Sequence, residues 1–138
     1  RVTVFDSPYK RRILVTTQPS TGLMVSEIKT LAMANVTSGI MLRLHPSQCT
    51  RENMDILEQE LSPLDNVEFR LASSLALPDL LSQSDLHITG FSSCIIEASN
   101  LGVDSVAFSE KAAEYYPEQI EQGRLILVDA ETVWQSEW

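Results

Sequence analysis

Glycine is scarce and scattered. The five glycines, at positions 22, 39, 90, 102 and 123, form neither a GxGxxG run nor a GKS/T phosphate loop. The backbone cradles that dinucleotides and P-loop nucleotides require are therefore missing. Cysteine is scarcer still. Cys49 and Cys94 lie far apart and make no CxxC pair, which reads as two reduced thiols of a cytosolic protein. Beside them stand only two histidines, His45 and His87, with no ligand spacing, so neither a metal nor any other cofactor is expected. No serine occupies a GxSxG elbow. Basic residues number 10 against 19 acidic ones, a net charge of -9, and that balance speaks against a nucleic-acid partner. It leaves room for a small anion, which a few local donors can hold. The one basic cluster, Lys10-Arg11-Arg12, reads as a solvated segment ahead of the first strand.

No apolar run approaches the ~20 residues of a membrane span, and Arg1–Tyr9 lack the layout of a signal peptide. The expectation is a cytoplasmic protein without a transmembrane segment, with peripheral attachment at the inner membrane face left open. Asn35-Val36-Thr37 matches a glycosylation sequon, a triplet that arises often by chance. The first residue is not Met, so the chain is expected to be a fragment of a longer protein.

What is present is an alternation of short apolar runs with helix-periodic stretches. The hydrophobic fraction is 43% over 138 residues, enough for one domain with a core that needs no staples. Arg12–Thr17, Ile40–Leu44, Asn66–Leu71, Asp85–Thr89, Asp104–Phe108 and Arg124–Val128 read as strands. Helices are expected over Gly22–Val36, Thr50–Leu61, Leu77–Gln83, Ser93–Leu101, Ser109–Tyr115 and Ala130–Trp138. Gly102 caps one of these and Pro117 interrupts another. Such alternation implies parallel strands joined by right-handed crossovers. The fold class is α/β: a Rossmann-like three-layer α/β/α sandwich with a parallel sheet of about six strands. Residues 1–11 read either as an extra edge strand or as a linker.

Ligands of such sheets bind beyond the carboxyl ends of the strands. Those ends carry Gln18-Pro19-Ser20, His45-Pro46-Ser47, Ser73-Ser74, Gly90-Phe91-Ser92-Ser93 and Ser109-Glu110-Lys111. Gln18 and His45 precede prolines, which hold them extended. An imidazole in that position can donate to a phosphate oxygen. Ser92 and Ser93 open a helix, where free N–H groups and hydroxyls suit an anion. Glu97 lies four residues after Ser93, about one 5.4 Å turn along the same face, and its carboxylate can accept two ribose hydroxyls. The plain alternatives are a proline-terminated strand, a serine cap and a favourable helix charge. His87, inside a strand, reads as a packing residue, as do Tyr115, Tyr116, Trp134 and Trp138.

With these residues in view, the chain resembles the C-terminal, donor-binding domain of GT-B-fold glycosyltransferases. The likeness is to the bacterial sialyltransferase, polysialyltransferase and capsule-polysaccharide type. His45-Pro46 in LRLHPS matches their HP motif, and Ser92-Ser93 in ITGFSSCIIEA matches their SS motif. The resemblance spans roughly Ile13–Val128. It implies that His45, Ser92 and Ser93 contact the phosphate of a nucleotide-sugar donor resembling CMP-sialic acid; Gln18 and Pro46, at the same strand ends, are expected among the nucleotide-binding residues. It implies that Glu97 holds the ribose, that His45 takes part in catalysis, and that an inverting transfer to a glycan acceptor proceeds without bound metal. A GT-B enzyme has two such domains. The missing N-terminal domain is then a partner in cis that supplies the general base, and this chain alone is expected to be inactive. Similar GT-B halves occur in UDP-N-acetylglucosamine 2-epimerases and CDP-glycerol phosphotransferases, which form the second reading. A non-catalytic flavodoxin-like interaction module is the third.

Overall fold

In the computed structural model, which describes residues 2–138, aliphatic runs form strands, the central ones buried on both faces. These are β1 (Arg11–Thr16), β2 (Ser38–Arg43), β3 (Val67–Glu68), β4 (Leu86–Thr89), β5 (Ser105–Ala107) and β6 (Leu125–Leu127). All pair in parallel, in the order β3-β2-β1-β4-β5-β6. The helices are α1 (Val25–Ala34), α2 (Arg51–Leu61), α3 (Arg70–Ser74), α4 (Leu77–Leu81), α5 (Cys94–Asn100), α6 (Lys111–Tyr115), α7 (Pro117–Glu121) and α8 (Ala130–Gln135).

Alternation along each strand sends neighbouring residues to opposite faces. Ile13, Val15, Ile40, Leu42, Ile88 and Val106 meet Ile28 and Leu31 of α1, Leu57 and Leu61 of α2, and Trp134 of α8. On the other face Leu14 and Met41 meet Ala72 of α3, Leu80 and Leu81 of α4, and Ala98 of α5. Beside them Ala107 and Leu125 pack on Ile95 and Ala112. The result is the three-layer Rossmann-like sandwich expected from the alternation.

Residues 2–10 contain no strand. Val4 and Phe5 are buried against Leu14 and Met41. Phe5 lies over Gly39, where an added Cβ would meet its ring at 2.5 Å, so the glycine is what lets this strap lie flat on β2.

The third strand differs from expectation. Asn66–Leu71 reads as a strand by its apolar content, yet pairing stops at Glu68 and a helix begins at Arg70. The cause is the Glu68 carboxylate, which accepts the N–H groups of Arg70, Leu71 and Ala72 at 2.8–3.0 Å. Three satisfied amides make the helical turn the better state for those residues. Ser73 and Ser74 thus end a helix rather than follow a strand. The first helix starts at Val25 rather than Gly22, because Gly22 and Met24 take left-handed conformations in the turn before it.

Asn35 settles the sequon. Its amide donates to Leu31 O and Ser136 O, its carbonyl accepts Trp138 N–H, and the residue is buried. It clasps the end of α1 to the segment after α8 and offers no glycan acceptor. Both cysteines are free thiols, and among the described residues no helix is long and apolar enough to cross a membrane.

Candidate functional site

The chain runs outward from β1 to β2 and β3, then returns to place β4 on the other side of β1. That reversal opens a crevice beyond the carboxyl ends of β1 and β4, where open α/β sheets bind ligands. The loops that follow β1, β2 and β4 converge there, the first two held together by a residue that sequence reading passed over. Buried Gln48 accepts from the Thr17 hydroxyl and from His45 N–H, and donates to the carbonyls of Gln18 and Gly22. It sits in the short 3₁₀ turn Pro46–Gln48, whose reciprocal cap it forms with His45.

His45 is extended ahead of Pro46 and exposed. Its Nδ1 accepts Ser47 N–H at 3.1 Å and lies 2.7 Å from Ser47 Oγ. With Nδ1 engaged as an acceptor, the neutral ring carries its proton on Nε2, which is left free to donate. Gln18 has a different task. Its Oε1 accepts Phe91 N–H at 3.0 Å, so it ties the β1 loop to the β4 loop. Ser92 Oγ accepts Cys94 N–H at 3.1 Å and caps α5, while Ser93 makes no side-chain cap. Glu97 is exposed in the first turn of α5.

His45, Pro46 and Ser92 line one recess of about 60 Å3, together with Thr16, Thr17, Leu44, Cys94 and Arg43. That is about two water volumes, room for a phosphoryl head and not for a nucleoside. Gln18, Ser93 and Glu97 lie outside this lining. Arg43, the last residue of β2, is the second residue that sequence reading missed; its only signal was a cation inside the apolar run IMLRL. Larger hollows exist. One of about 310 Å3 lies beyond β5 and β6, beside Phe108, Ser109 and Asp129. Another of about 420 Å3 lies near Lys10, Asn35 and Trp138. The latter is at the amino edge of the sheet, the wrong edge for this architecture, so volume is a poorer guide than topology here.

Three titratable groups near the crevice have shifted protonation. Burial pushes the Cys94 thiol up and the Glu97 charge adds to it, against the Ser92 hydrogen bond and the Arg43 charge, which pull it down; burial thus favours the protonated thiol. Burial also raises the Tyr116 phenol, whose O–H donates to Phe91 O at 2.9 Å. His87 is wholly enclosed between Thr16 Oγ1 and Ser105 Oγ, each at 2.8 Å. Desolvation lowers its pKa from 6.5 to about 3, so it is a neutral packing residue as its strand position suggested. Tyr116 and Trp134 are packed too, whereas Tyr115 is 58% exposed and stacks on Phe91. Among the described residues no group of three or more His, Cys, Asp or Glu can hold a metal ion.

No family model matches the chain, and no curated protein matches it. Solved structures do. UDP-GlcNAc 2-epimerase from Neisseria meningitidis, bound to UDP-GlcNAc, is 21% identical with a TM-score of 0.68 over 94% of this chain and 34% of that one. MnaA of S. aureus in complex with UDP is 15% identical, with a TM-score of 0.68 over 96% of this chain and 39% of that one. The wall teichoic acid polymerase TagF is 18% identical, with a TM-score of 0.57 over 82% of this chain and 26% of that one. These neighbours have the GT-B-like glycosyltransferase fold, and the chain shares the Rossmann-like α/β fold of the part it covers. It spans well under half the length of these structural neighbours.

Proposed function

We propose that the chain is the nucleotide-sugar-binding half of a two-domain GT-B protein, and that its ligand is a uridine diphosphate sugar. The supporting observation is the convergence of His45 and Ser92 on one recess at the point where strand order reverses. The choice of UDP draws on the fold neighbours, whose solved forms include complexes with UDP and UDP-GlcNAc. They favour chemistry of the UDP-GlcNAc 2-epimerase type over transfer of a sialic-acid-like sugar. In this reading His45 Nε2–H and the Ser92 hydroxyl face the phosphoryl oxygens, and Ser93 extends the donor set. Glu97, unpaired on the first turn of α5, accepts the ribose hydroxyls. Charge gathers on the diphosphate as its bond to the sugar breaks, and donors already fixed by Ser47 and Gln48 stabilise it without reorganising. The other half of the protein supplies the remaining acid–base groups and any acceptor, so this chain alone turns over nothing.

Calorimetry with UDP, CDP, CMP and ADP tests the reading. UDP binds in preference, and His45→Ala weakens it by about tenfold or more, the value of one charge-assisted hydrogen bond. No binding of any nucleotide at millimolar concentration sinks the proposal. A second reading, donation from a CMP-sugar to a capsular or other cell-surface glycan, draws on the order of His45-Pro46 and Ser92-Ser93. Preference for CMP over UDP selects it. Product analysis on the longer protein separates epimerisation, glycerophosphate transfer and glycosyl transfer.

A further inference from the structure

Arg43 is a half-buried cation that forms no ion pair among the described residues. The protein has 19 acidic residues, and Lys29, Arg70 and Arg124 each pair with one, yet among the described residues Arg43 pairs with none. Its Nη1 donates to Ala72 O at 3.0 Å and to Leu75 O at 2.6 Å, at the end of α3. The Nη2 and Nε donors have no protein partner among the described residues and reach solvent. A guanidinium offers five donors in a rigid fork, and taking its charge partly out of water is unfavourable unless an anion compensates it. The recess beside Arg43 is the same one that His45 and Ser92 line, and the Arg43 charge is felt at Cys94 on its far wall.

We infer that Arg43 binds a phosphoryl group of the ligand directly, through Nη2 and Nε, while the α3 carbonyls hold it in position through Nη1. The recess is thereby a site for an oxyanion of the phosphate or pyrophosphate class, with a permanent positive charge as its base. The inference rests on the nucleotide reading above only for what is attached to that phosphate. It does not need the nucleoside, so the two can fail separately.

The test is an NMR titration of the 138-residue chain with inorganic pyrophosphate, UDP and uridine, repeated on Arg43→Gln and Arg43→Lys. Thermal melts check that both variants fold. The wild type is expected to bind pyrophosphate and UDP with shifts at residues 43–45 and 92. Arg43→Gln weakens both by tenfold or more and leaves uridine unchanged. Arg43→Lys retains most of the affinity, because the charge survives although the hold on α3 does not. If Lys and Gln lose binding equally, Arg43 only seats α3 and the inference fails. It fails equally if Gln binds UDP as the wild type does, a result that leaves the nucleotide reading standing. Pyrophosphate bound through Arg43, with UDP no tighter, sinks the nucleotide reading and keeps the inference. Absence of binding by pyrophosphate and UDP alike overturns both.

Discussion

Gln48 shows how much of the crevice rests on one side chain. It joins Thr17, Gln18, Gly22 and His45 through four hydrogen bonds, beside a direct bond from His45 N–H to Thr17 Oγ1. Gln48→Ala leaves buried donors and acceptors unpaired, at about 1–3 kcal/mol for each group left so. The expected outcome is a lower urea midpoint with nucleotide binding lost in the same variant. His87 governs the acid response. Its folded pKa is about 3 against an ordinary 6.5, so between those values the unfolded chain binds a proton that the folded one does not. Stability is therefore full above about pH 6.5 and falls as pH drops towards 3, by up to about 1.4 kcal/mol per unit. Urea titrations at pH 7, 5 and 4 read the slope, and His87→Gln is expected to flatten it. An unchanged slope would place the acid sensitivity in the carboxylates.

α3 is where element-level reading and structure part. Five of the six strand runs and most helices were legible from periodicity, because apolar runs between turn residues leave a parallel strand few alternatives. The stretch after Val67 was not, because a side chain outcompetes the ladder: Glu68 takes three consecutive amide hydrogens, whereas an edge strand pairs only alternate ones. A carboxylate just ahead of RLA carries that signal only once its rotamer is known. Glu68→Gln is expected to fray α3, raising hydrogen exchange at Arg70, Leu71 and Ala72 by about tenfold or more, since neutral acceptors are weaker. The Arg43 contacts with Ala72 O and Leu75 O loosen with it. Unchanged protection would show that Ser73, which accepts Leu44 N–H and donates to Leu42 O, is enough to hold the helix.

At the scale of the molecule, the site was readable as far as the sheet edge and no further. Strand ends could be assigned from the alternation, and with them His45 and Ser92. Which side chains would face one another depended on strand order and loop hydrogen bonds, and those determine that Gln18 spans two loops while Arg43 faces the recess. The strand order also makes a prediction. A bound nucleotide shifts resonances at the carboxyl ends of β1, β2 and β4 and leaves Lys10, Arg11 and Trp138 at the opposite edge unmoved. The strap over β2 makes another. Gly39→Ala pushes a methyl into the Phe5 ring and costs about 1–3 kcal/mol as overpacking does. Phe5→Leu in the same chain recovers part of the loss, measurable as a midpoint shift in urea.

The strip Thr16–His87–Ser105 crosses three central strands and ends in the floor of the recess. A neutral imidazole has one proton to give. When Nε2 carries it, the proton goes to Thr16 Oγ1, and the threonine hydroxyl hydrogen is free to turn outward. When Nδ1 carries it, Ser105 receives it, and Thr16 must turn its hydrogen inward to Nε2. At Thr16, which lines the recess beside Arg43, His45 and Ser92, an oxyanion meets a donor in the first state and only lone pairs in the second. The placement of a single hydrogen, on a ring that never touches water, thus sets the polarity of the recess floor. Ring-nitrogen shifts of a ¹⁵N-histidine sample would read that polarity.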